Sequence, residues 1–258
     1  MDKQKNIYIG VDIGASHTKV VILDELKQVI GQSIKKSGVN YSDTAEFCLK
    51  DALKKYNNEK LKIRKTVATG YGRKNVTFSD DVKTEIACHA KGCYHYFPKK
   101  ITIIDIGGQD NKIIKLDAMG KRISFKMNRK CAAGTGSFLE EIAMRLDISL
   151  NQMNDLAKHS SDMVELGSFC TVFSATEVLH HIGSGKKVED IVKGLFLSVI
   201  KRVLEMDSVS EHVVMTGGVV AYNPYLVKMA GMRMGKKILV PEFPQLTGAF
   251  GAALYAMN

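Results

Sequence analysis

The chain lacks any long apolar run, and none approaches the roughly 20 residues that a helix needs to span a bilayer. Its first ten residues, MDKQKNIYIG, are charged and lead into a β-branched segment, which is not typical of a signal peptide. Both absences predict a cytoplasmic protein with no membrane partner. No low-complexity linker interrupts the 258 residues, so we expect lobes of one compact unit rather than tethered domains.

Cysteine is also scarce: five are present, and no CxxC motif occurs. An odd number in a cytosolic-looking chain argues against a disulfide framework. Cys48 falls on the apolar side of a predicted helix, which predicts a core position. Cys88 and Cys93 lie in another predicted helix, with His89 and His95 nearby, so a metal site there is a weaker alternative to simple burial.

Charge is not concentrated in one basic arm, although the net charge is +10. The surplus is spread over lysine pairs along the whole chain. This distribution favours a solvated basic surface that helps to bind anionic ligands, and it disfavours a nucleic-acid partner.

What the sequence does contain is one pattern that occurs twice, 93 residues apart. Residues 12–24 and 105–117 both read Asp-Ile-Gly, four variable residues, Lys, three variable residues, then Leu-Asp. Each copy is flanked by β-branched runs, a pattern that predicts strand, glycine turn and strand. A third predicted strand, in HVVMTGGVV, ends at Gly217 and Gly218.

These turns predict a nucleotide site, because glycine lets backbone N–H groups approach a phosphate closely. An Asp before the glycines can hold Mg²⁺ or its water, which assigns Asp12 and Asp105. Gln109 is suited to orienting an attacking water, and Gly217 and Gly218 to lying against the nucleoside. The expected phosphate contacts are Gly14, Ala15, Ser16, Thr18 and Lys19 from one turn, and Gly107, Gly108 and Gln109 from the other.

Apolar spacing predicts helices over residues 42–56, 82–96 and 188–206. Phe138, Ile142 and Leu146 predict a buried stripe on a further helix. The small-residue C-terminal segment LTGAFGAALYAMN predicts a closely packed last helix.

Cys131 and Cys170 each lie at a turn-rich entry to a predicted helix, where backbone N–H groups favour the thiolate that binds metals. Two cysteines cannot complete a Cys₄ iron–sulfur site. Two copies of the chain related by a twofold axis can, provided that both cysteines lie near the axis. The alternative is a pair of buried structural thiols, and spacing alone leaves both open.

The paired hairpins and the TGG turn resemble the acetate and sugar kinase, Hsp70 and actin superfamily. That resemblance implies an α/β fold of two lobes, each a mixed sheet with flanking helices, and ATP between them. Residues 1–99 would form lobe I and residues 100–244 lobe II. The C-terminal helix, residues 245–258, would pack back on lobe I.

Eight segments resemble a narrower family, the ATPase activators of 2-hydroxyacyl-CoA dehydratases and the related benzoyl-CoA reductase ATPase subunits. They are IGVDIGASHTK, ATGYGR, EIACHAKG, IDIGGQD, KCAAGTGSFLE, CTVF, VVMTGG and QLTGAFGAALYA. The resemblance implies a homodimer with one 4Fe–4S cluster held by Cys131 and Cys170 of both protomers. It also implies nucleotide contacts from residues 15–19, His17 among them, and from Gly107, Gly108, Asp147, Gly217, Gly218 and Gln245.

The activity implied by the resemblance is hydrolysis of ATP to ADP with Mg²⁺, coupled to transfer of one low-potential electron. The acceptor would be an iron–sulfur acyl-CoA dehydratase, and the donor a ferredoxin or flavodoxin. Benzoyl-CoA reductase and double-cubane reductases are alternative acceptors. A small-molecule kinase and a chaperone-like nucleotide switch are alternative functions. The chain departs from the family pattern at Ala15, His17, Ser137 and Ala175, which makes the partner's identity the least defined point.

Overall fold

A computed structural model of the protein describes residues 4–56, 60–128, 131–167 and 170–258. The chain divides into two compact units, one formed by Met1–Lys99 and Leu246–Asn258 and the other by Lys100–Gln245. Among the described residues, every helix is too short or too polar to cross a bilayer.

The secondary structure alternates strands and helices in both units. The strands are β1 (Lys5–Ile13), β2 (His17–Leu23), β3 (Val29–Lys36), β4 (Leu61–Gly70), β5 (Asp81–Val82), β6 (Ile101–Ile106), β7 (Asn111–Leu116), β8 (Arg122–Asn128), β9 (Val213–Thr216) and β10 (Ile238–Leu239). The helices are α1 (Tyr41–Leu53), α2 (Glu85–Tyr96), α3 (Gly136–Arg145), α4 (Leu150–His159), α5 (Thr171–Gly183), α6 (Val188–Leu204), α7 (Gly218–Tyr222), α8 (Pro224–Met234) and α9 (Thr247–Ala256). Short 3₁₀ turns cover Lys54–Tyr56, Arg73–Asn75 and Pro244–Leu246.

The two units carry five-stranded sheets of the same design. In the first unit the order is β3-β2-β1-β4-β5, and in the second, read from the other edge, it is β8-β7-β6-β9-β10. Each sheet has three antiparallel strands followed by two that run parallel to the central one. The predicted hairpins are confirmed: Asp12 pairs with Lys19 across one, and Asp105 with Lys112 across the other.

Each sheet buries its β-branched residues under helices. In the first unit the core contains Ile7, Ile9, Val11 and Ile13 of β1. Helix α9 packs on β1 and α2, and eight of its ten residues are alanine, glycine or apolar, which allows this close approach. In the second unit α3, α5 and α6 share one core, which includes Phe138 and Ile142 of the predicted stripe.

One predicted boundary was wrong. Helix α2 begins at Glu85 rather than at Val82, because Asp81 and Val82 pair with β4 as a short strand. Thr84 then caps the helix by accepting a hydrogen bond from the backbone N–H of Ala87. The N-cap at Thr84 therefore starts the helix three residues later than the apolar pattern alone indicated.

Candidate functional site

The first glycine turn joins β1 to β2 and is closed by a hydrogen bond from Gly14 N to His17 O at 3.0 Å. Below the turn, Lys19 Nζ lies 3.1 Å from Asp12 Oδ2. The Asp12 carboxylate is 3 % exposed, and its Oδ1 has no hydrogen-bond partner among the described residues. A buried carboxylate oxygen without a donor is costly, so this atom suits a hydrated cation.

The side chains of this turn differ in what they can reach. Ala15 is exposed, and Ser16, His17 and Lys19 are partly exposed. Thr18 is fully buried, and its hydroxyl lies 3.0 Å from that of Ser37. The Ser37 hydroxyl in turn donates to Gly14 O at 2.7 Å, so the Thr18 hydroxyl is held beneath the turn and its phosphate contact stays a prediction.

The second glycine turn joins β6 to β7 and is closed in the same way, from Gly107 N to Asp110 O at 2.9 Å. Here the lysine is buried more deeply. Lys112 is 2 % exposed, lies 3.1 Å from Asp105 Oδ2 and also contacts the Asp110 carboxylate. Thr216 Oγ1 donates to Asp105 Oδ1 at 3.0 Å, so both oxygens of this carboxylate accept hydrogen bonds. Gln109 is exposed at the tip, where a water molecule could reach it.

The second turn is also bonded to the start of α3. Gly136 N donates to Gly107 O at 2.9 Å and Ser137 N to Gly108 O at 2.7 Å. The Ser137 hydroxyl donates to the same Gly108 carbonyl at 2.8 Å. These bonds fix the glycine turn to the helix that follows Cys131 in the chain.

Three of the predicted nucleotide contacts of the second unit, Gly217, Gly218 and Gln245, are brought together. Gly217 has a φ of 99°, and a Cβ there would lie 2.3 Å from Ile106 O, so only glycine fits. Its N–H donates to Pro244 O at 2.9 Å. The side-chain amide of Gln245 faces Gly218, within van der Waals distance of where a Cβ would stand. Asp147 is exposed just after α3, with a φ of 53°.

The five cysteines divide into two groups. Cys48, Cys88 and Cys93 are fully buried, whereas Cys131 and Cys170 are exposed. Cys170 is the N-cap residue of α5, and Cys131 lies five residues before α3, where its Sγ is 3.5 Å from Ala133 N. Since α3 and α5 pack against each other, these two thiols precede neighbouring helices.

Burial makes Cys88 a poor metal ligand, because it disfavours the thiolate that binds metals. Burial, helped by the charges of Asp12 and Glu85 and opposed by a hydrogen bond with Thr69, raises the pKa of its thiol to about 12. His89 is bonded to Thr247 through Nδ1 at 3.1 Å. Within the described part of the chain, no group of three or more His, Cys, Asp and Glu side chains could hold a metal ion.

His17 carries the other notable shift at the site. Burial, followed by the charges of Lys19 and Lys36, lowers the pKa of its imidazole from 6.5. His17 is therefore neutral at pH 7 in the protein without nucleotide.

Several residues of the site were not predicted. Asp110 and Asn111 lie inside the repeated motif but at its variable positions, and Asn111 Nδ2 donates to Gly134 O at 2.9 Å. The contribution of Thr216 could have been suspected because it precedes the two glycines of the third turn. Nothing in the local pattern indicated the pairing of His89 with Thr247, which are 158 residues apart.

Known proteins resemble the chain over nearly its whole length. Residues 9–256 match the BadF/BadG/BcrA/BcrD ATPase family. The chain is 41% identical to the activator of lactoyl-CoA dehydratase from Anaerotignum propionicum, over 96% of each chain. It is 40% identical to the 2-hydroxyisocaproyl-CoA dehydratase activator from Clostridioides difficile, over 97% of this chain and 94% of the relative.

A solved structure of the activator of the 2-hydroxyisocaproyl-CoA dehydratase from Clostridium difficile, with bound ADPNP, superposes with a TM-score of 0.91. It is 40% identical in sequence, and the match covers 97% of this chain and 94% of that one. The α/β architecture is accordingly that of the actin-like ATPases, as predicted. With a family match that spans nearly its whole length, the chain belongs to the BadF/BadG/BcrA/BcrD ATPase family.

Proposed function

We propose that this protein is an ATP-hydrolysing activator of a 2-hydroxyacyl-CoA dehydratase, to which it delivers single low-potential electrons in the cytoplasm. Membership of an ATPase family and the activator relatives support the assignment. The partner enzyme would be an iron–sulfur acyl-CoA dehydratase.

The observation that carries this proposal is the set of hydrogen bonds between the second glycine turn and the Cys131 segment. Gly107 and Gly108 accept from Gly136 and Ser137, and the Asn111 amide donates to Gly134. A phosphate contact at Gly107 and Gly108 would therefore shift the loop that carries Cys131. The expected phosphate-binding turn is thus hydrogen-bonded to the residues that follow Cys131, one of the two exposed cysteines.

The nucleotide would be ATP before hydrolysis and ADP after it. Residues 15–19, Gly107 and Gly108 would contact phosphates, with Thr18 acting through its backbone. Gly217, Gly218, Gln245 and Asp147 would contact the nucleoside. Asp12 offers its unbonded Oδ1 to a water of Mg²⁺, Asp105 anchors Lys112, and exposed Gln109 orients the attacking water.

The two exposed cysteines fit an iron–sulfur cluster by donor chemistry, since thiolates are its usual ligands. A 4Fe–4S cluster would supply one-electron transfer between a ferredoxin or flavodoxin and the dehydratase. Each protomer provides Cys131 and Cys170, so a homodimer would supply the four thiolates.

Nucleotide can drive the change only if ATP and ADP bind two conformations with different affinity. A coupling of about 1–3 kcal/mol between two sites is typical of proteins. That range alters the equilibrium between two positions of the Cys131 loop by roughly 5- to 150-fold.

The proposal is tested by measuring iron and acid-labile sulfide per dimer after anaerobic purification. We expect about four irons and four sulfides per dimer in the wild type, because one 4Fe–4S cluster contains four of each. Cys131→Ala should lose both. Cys48→Ala is the matched control, since it removes a buried thiol in the other unit and should retain the cluster.

Absence of iron from the wild type, with ATP hydrolysis intact, would contradict the electron-transfer function. It would leave a small-molecule kinase or a nucleotide switch. If iron is present, reduction of purified candidate acceptors separates the dehydratase partner from benzoyl-CoA reductase and from double-cubane reductases.

A further inference from the structure

The Asp12 carboxylate lies in a closely built surrounding within the first unit. Its Oδ2 accepts from Lys19 Nζ at 3.1 Å, while its buried Oδ1 is the atom without a donor in the described residues. Which oxygen faces Lys19 and which stays available is therefore decided by the neighbours of the carboxylate. A rotation of the carboxylate would exchange the two oxygens and their partners.

His89 of α2 is one of those neighbours, and it is only 5 % exposed. Its Nδ1 forms a 3.1 Å hydrogen bond with Oγ1 of Thr247, the fully buried first residue of α9. Its Nε2 lies 3.9 Å from Glu85 Oε1. Because 3.9 Å is too long for a hydrogen bond, the bond at Nδ1 and the burial of the ring hold the imidazole in place.

Gly248 forms a notch that His89 and Asp12 share. A Cβ built on Gly248 would lie 3.0 Å from Asp12 Oδ2 and 3.2 Å from His89 Nε2. The edge of the imidazole and the carboxylate thus line the same small space beside the first turn of α9. Because the space is this tight, a displacement of Thr247 or of the His89 ring would change the room available to Oδ2.

We propose that His89 and Thr247 are a positioning pair for Asp12, through which the start of α9 sets how well the protein binds Mg²⁺ with its nucleotide. The inference rests on the ATP site of the proposed function. Helix α9 packs on β1, the strand that carries Asp12, so a displacement at the start of α9 would reach Asp12 through Thr247 and His89.

The test is calorimetric binding of a non-hydrolysable ATP analogue, with and without Mg²⁺, which requires neither turnover nor the cluster. The measured quantity is the factor by which Mg²⁺ strengthens binding. Thr247→Val keeps the shape of the side chain but loses the hydroxyl, and we expect this factor to fall about tenfold, the equivalent of one net hydrogen bond. Thr247→Ser restores the hydroxyl and should restore the factor.

His89 is tested by two variants that each keep one ring nitrogen's position. The amide of His89→Asn replaces Nδ1, which faces Thr247, and that of His89→Gln replaces Nε2, which faces the Gly248 notch. We expect a smaller loss of the Mg²⁺ factor in His89→Gln, because the atom beside Asp12 is retained. Thr102→Val, which removes an equally buried hydroxyl bonded to Ser210 in the other unit, is the control and should leave the factor unchanged.

The outcomes distinguish the positioning pair from the proposed function on which it rests. An unchanged Mg²⁺ factor in Thr247→Val, with normal analogue binding in the wild type, would overturn the positioning pair and leave the proposed function standing. A wild type that does not bind the analogue would overturn both.

Discussion

The two glycine hairpins share a motif and a backbone but differ in how they are bonded to the rest of their unit. Both turns close with the same N–H to carbonyl bond, and both pair an Asp with a Lys at 3.1 Å. In the first hairpin the Lys19 side chain is 17 % exposed and pairs with Asp12, whereas the Lys112 side chain in the second is 2 % exposed and pairs with both Asp105 and Asp110. Repetition in sequence therefore does not imply equal roles.

The turns also differ in the partners of their carbonyls. Gly14 O accepts from the hydroxyl of Ser37, which follows β3 in the same sheet, at 2.7 Å. Gly108 O accepts from Ser137 of α3, the helix that follows Cys131. The first hairpin is tied to its own sheet, and the second to the segment with the exposed thiol. Under the proposed function, the second turn is therefore the one through which nucleotide would act on Cys131.

The largest expected effect separates the two lysines. Lys112→Ala would leave Asp105 and Asp110 without their buried cation, and we expect a loss on the order of 3–5 kcal/mol in the free energy of unfolding. Lys19→Ala also leaves the buried Asp12 carboxylate without its cation, but Lys19 is the more exposed lysine, so we expect a smaller loss of about 1–3 kcal/mol together with weaker nucleotide binding. Urea unfolding measures both. Equal losses in the free energy of unfolding would contradict the different roles given to the two lysines.

A smaller effect should separate the two serines. Ser137→Ala removes the hydroxyl bond to Gly108 and should lower the acceleration of electron transfer by ATP roughly fivefold, for a net cost of about 1 kcal/mol. Ser37→Ala breaks the corresponding bond to Gly14 and should affect nucleotide affinity more than coupling. Stopped-flow reduction of an acceptor, with and without ATP, distinguishes them. Equal coupling in both variants would contradict the role given to the second turn.

The smallest effect concerns pH. His17 has a lowered pKa because of burial and of the charges of Lys19 and Lys36. Below pH 6.5 the unfolded chain therefore binds this proton more readily than the folded protein, and the free energy of unfolding falls.

Nucleotide binding should change in the opposite direction. Anionic phosphates nearby would raise the pKa of His17, so nucleotide binding should strengthen on the order of threefold between pH 7.5 and 6. Calorimetry measures nucleotide affinity at each pH, and the same series with His17→Gln gives the part that comes from titration of the nucleotide itself. The equivalent position in the second hairpin carries Asp110, which pairs with Lys112 instead. An identical pH profile in His17→Gln would remove His17 from the phosphate site.

Much of the fold could be read from alternation and glycine spacing. Both hairpins, the strand before Gly217 and the helix over Val188–Leu204 follow from local patterns. The start of α2 could not, because pairing of Asp81 and Val82 with β4 is a contact between distant residues. The burial of the Thr18 hydroxyl against Ser37 could not either, because it depends on a contact between residues 19 positions apart.

The sequence by itself determined the repeated Asp-Gly-Lys motif, the glycine turns and the family. These features depend on residues that are close together in the chain, where backbone sterics and strand alternation decide the local structure. Only the tertiary structure decided that Lys112 is buried between two carboxylates while Lys19 stays partly open. It alone set Ser137 on the second turn and Thr247 on His89, since packing brings together groups that the chain keeps far apart.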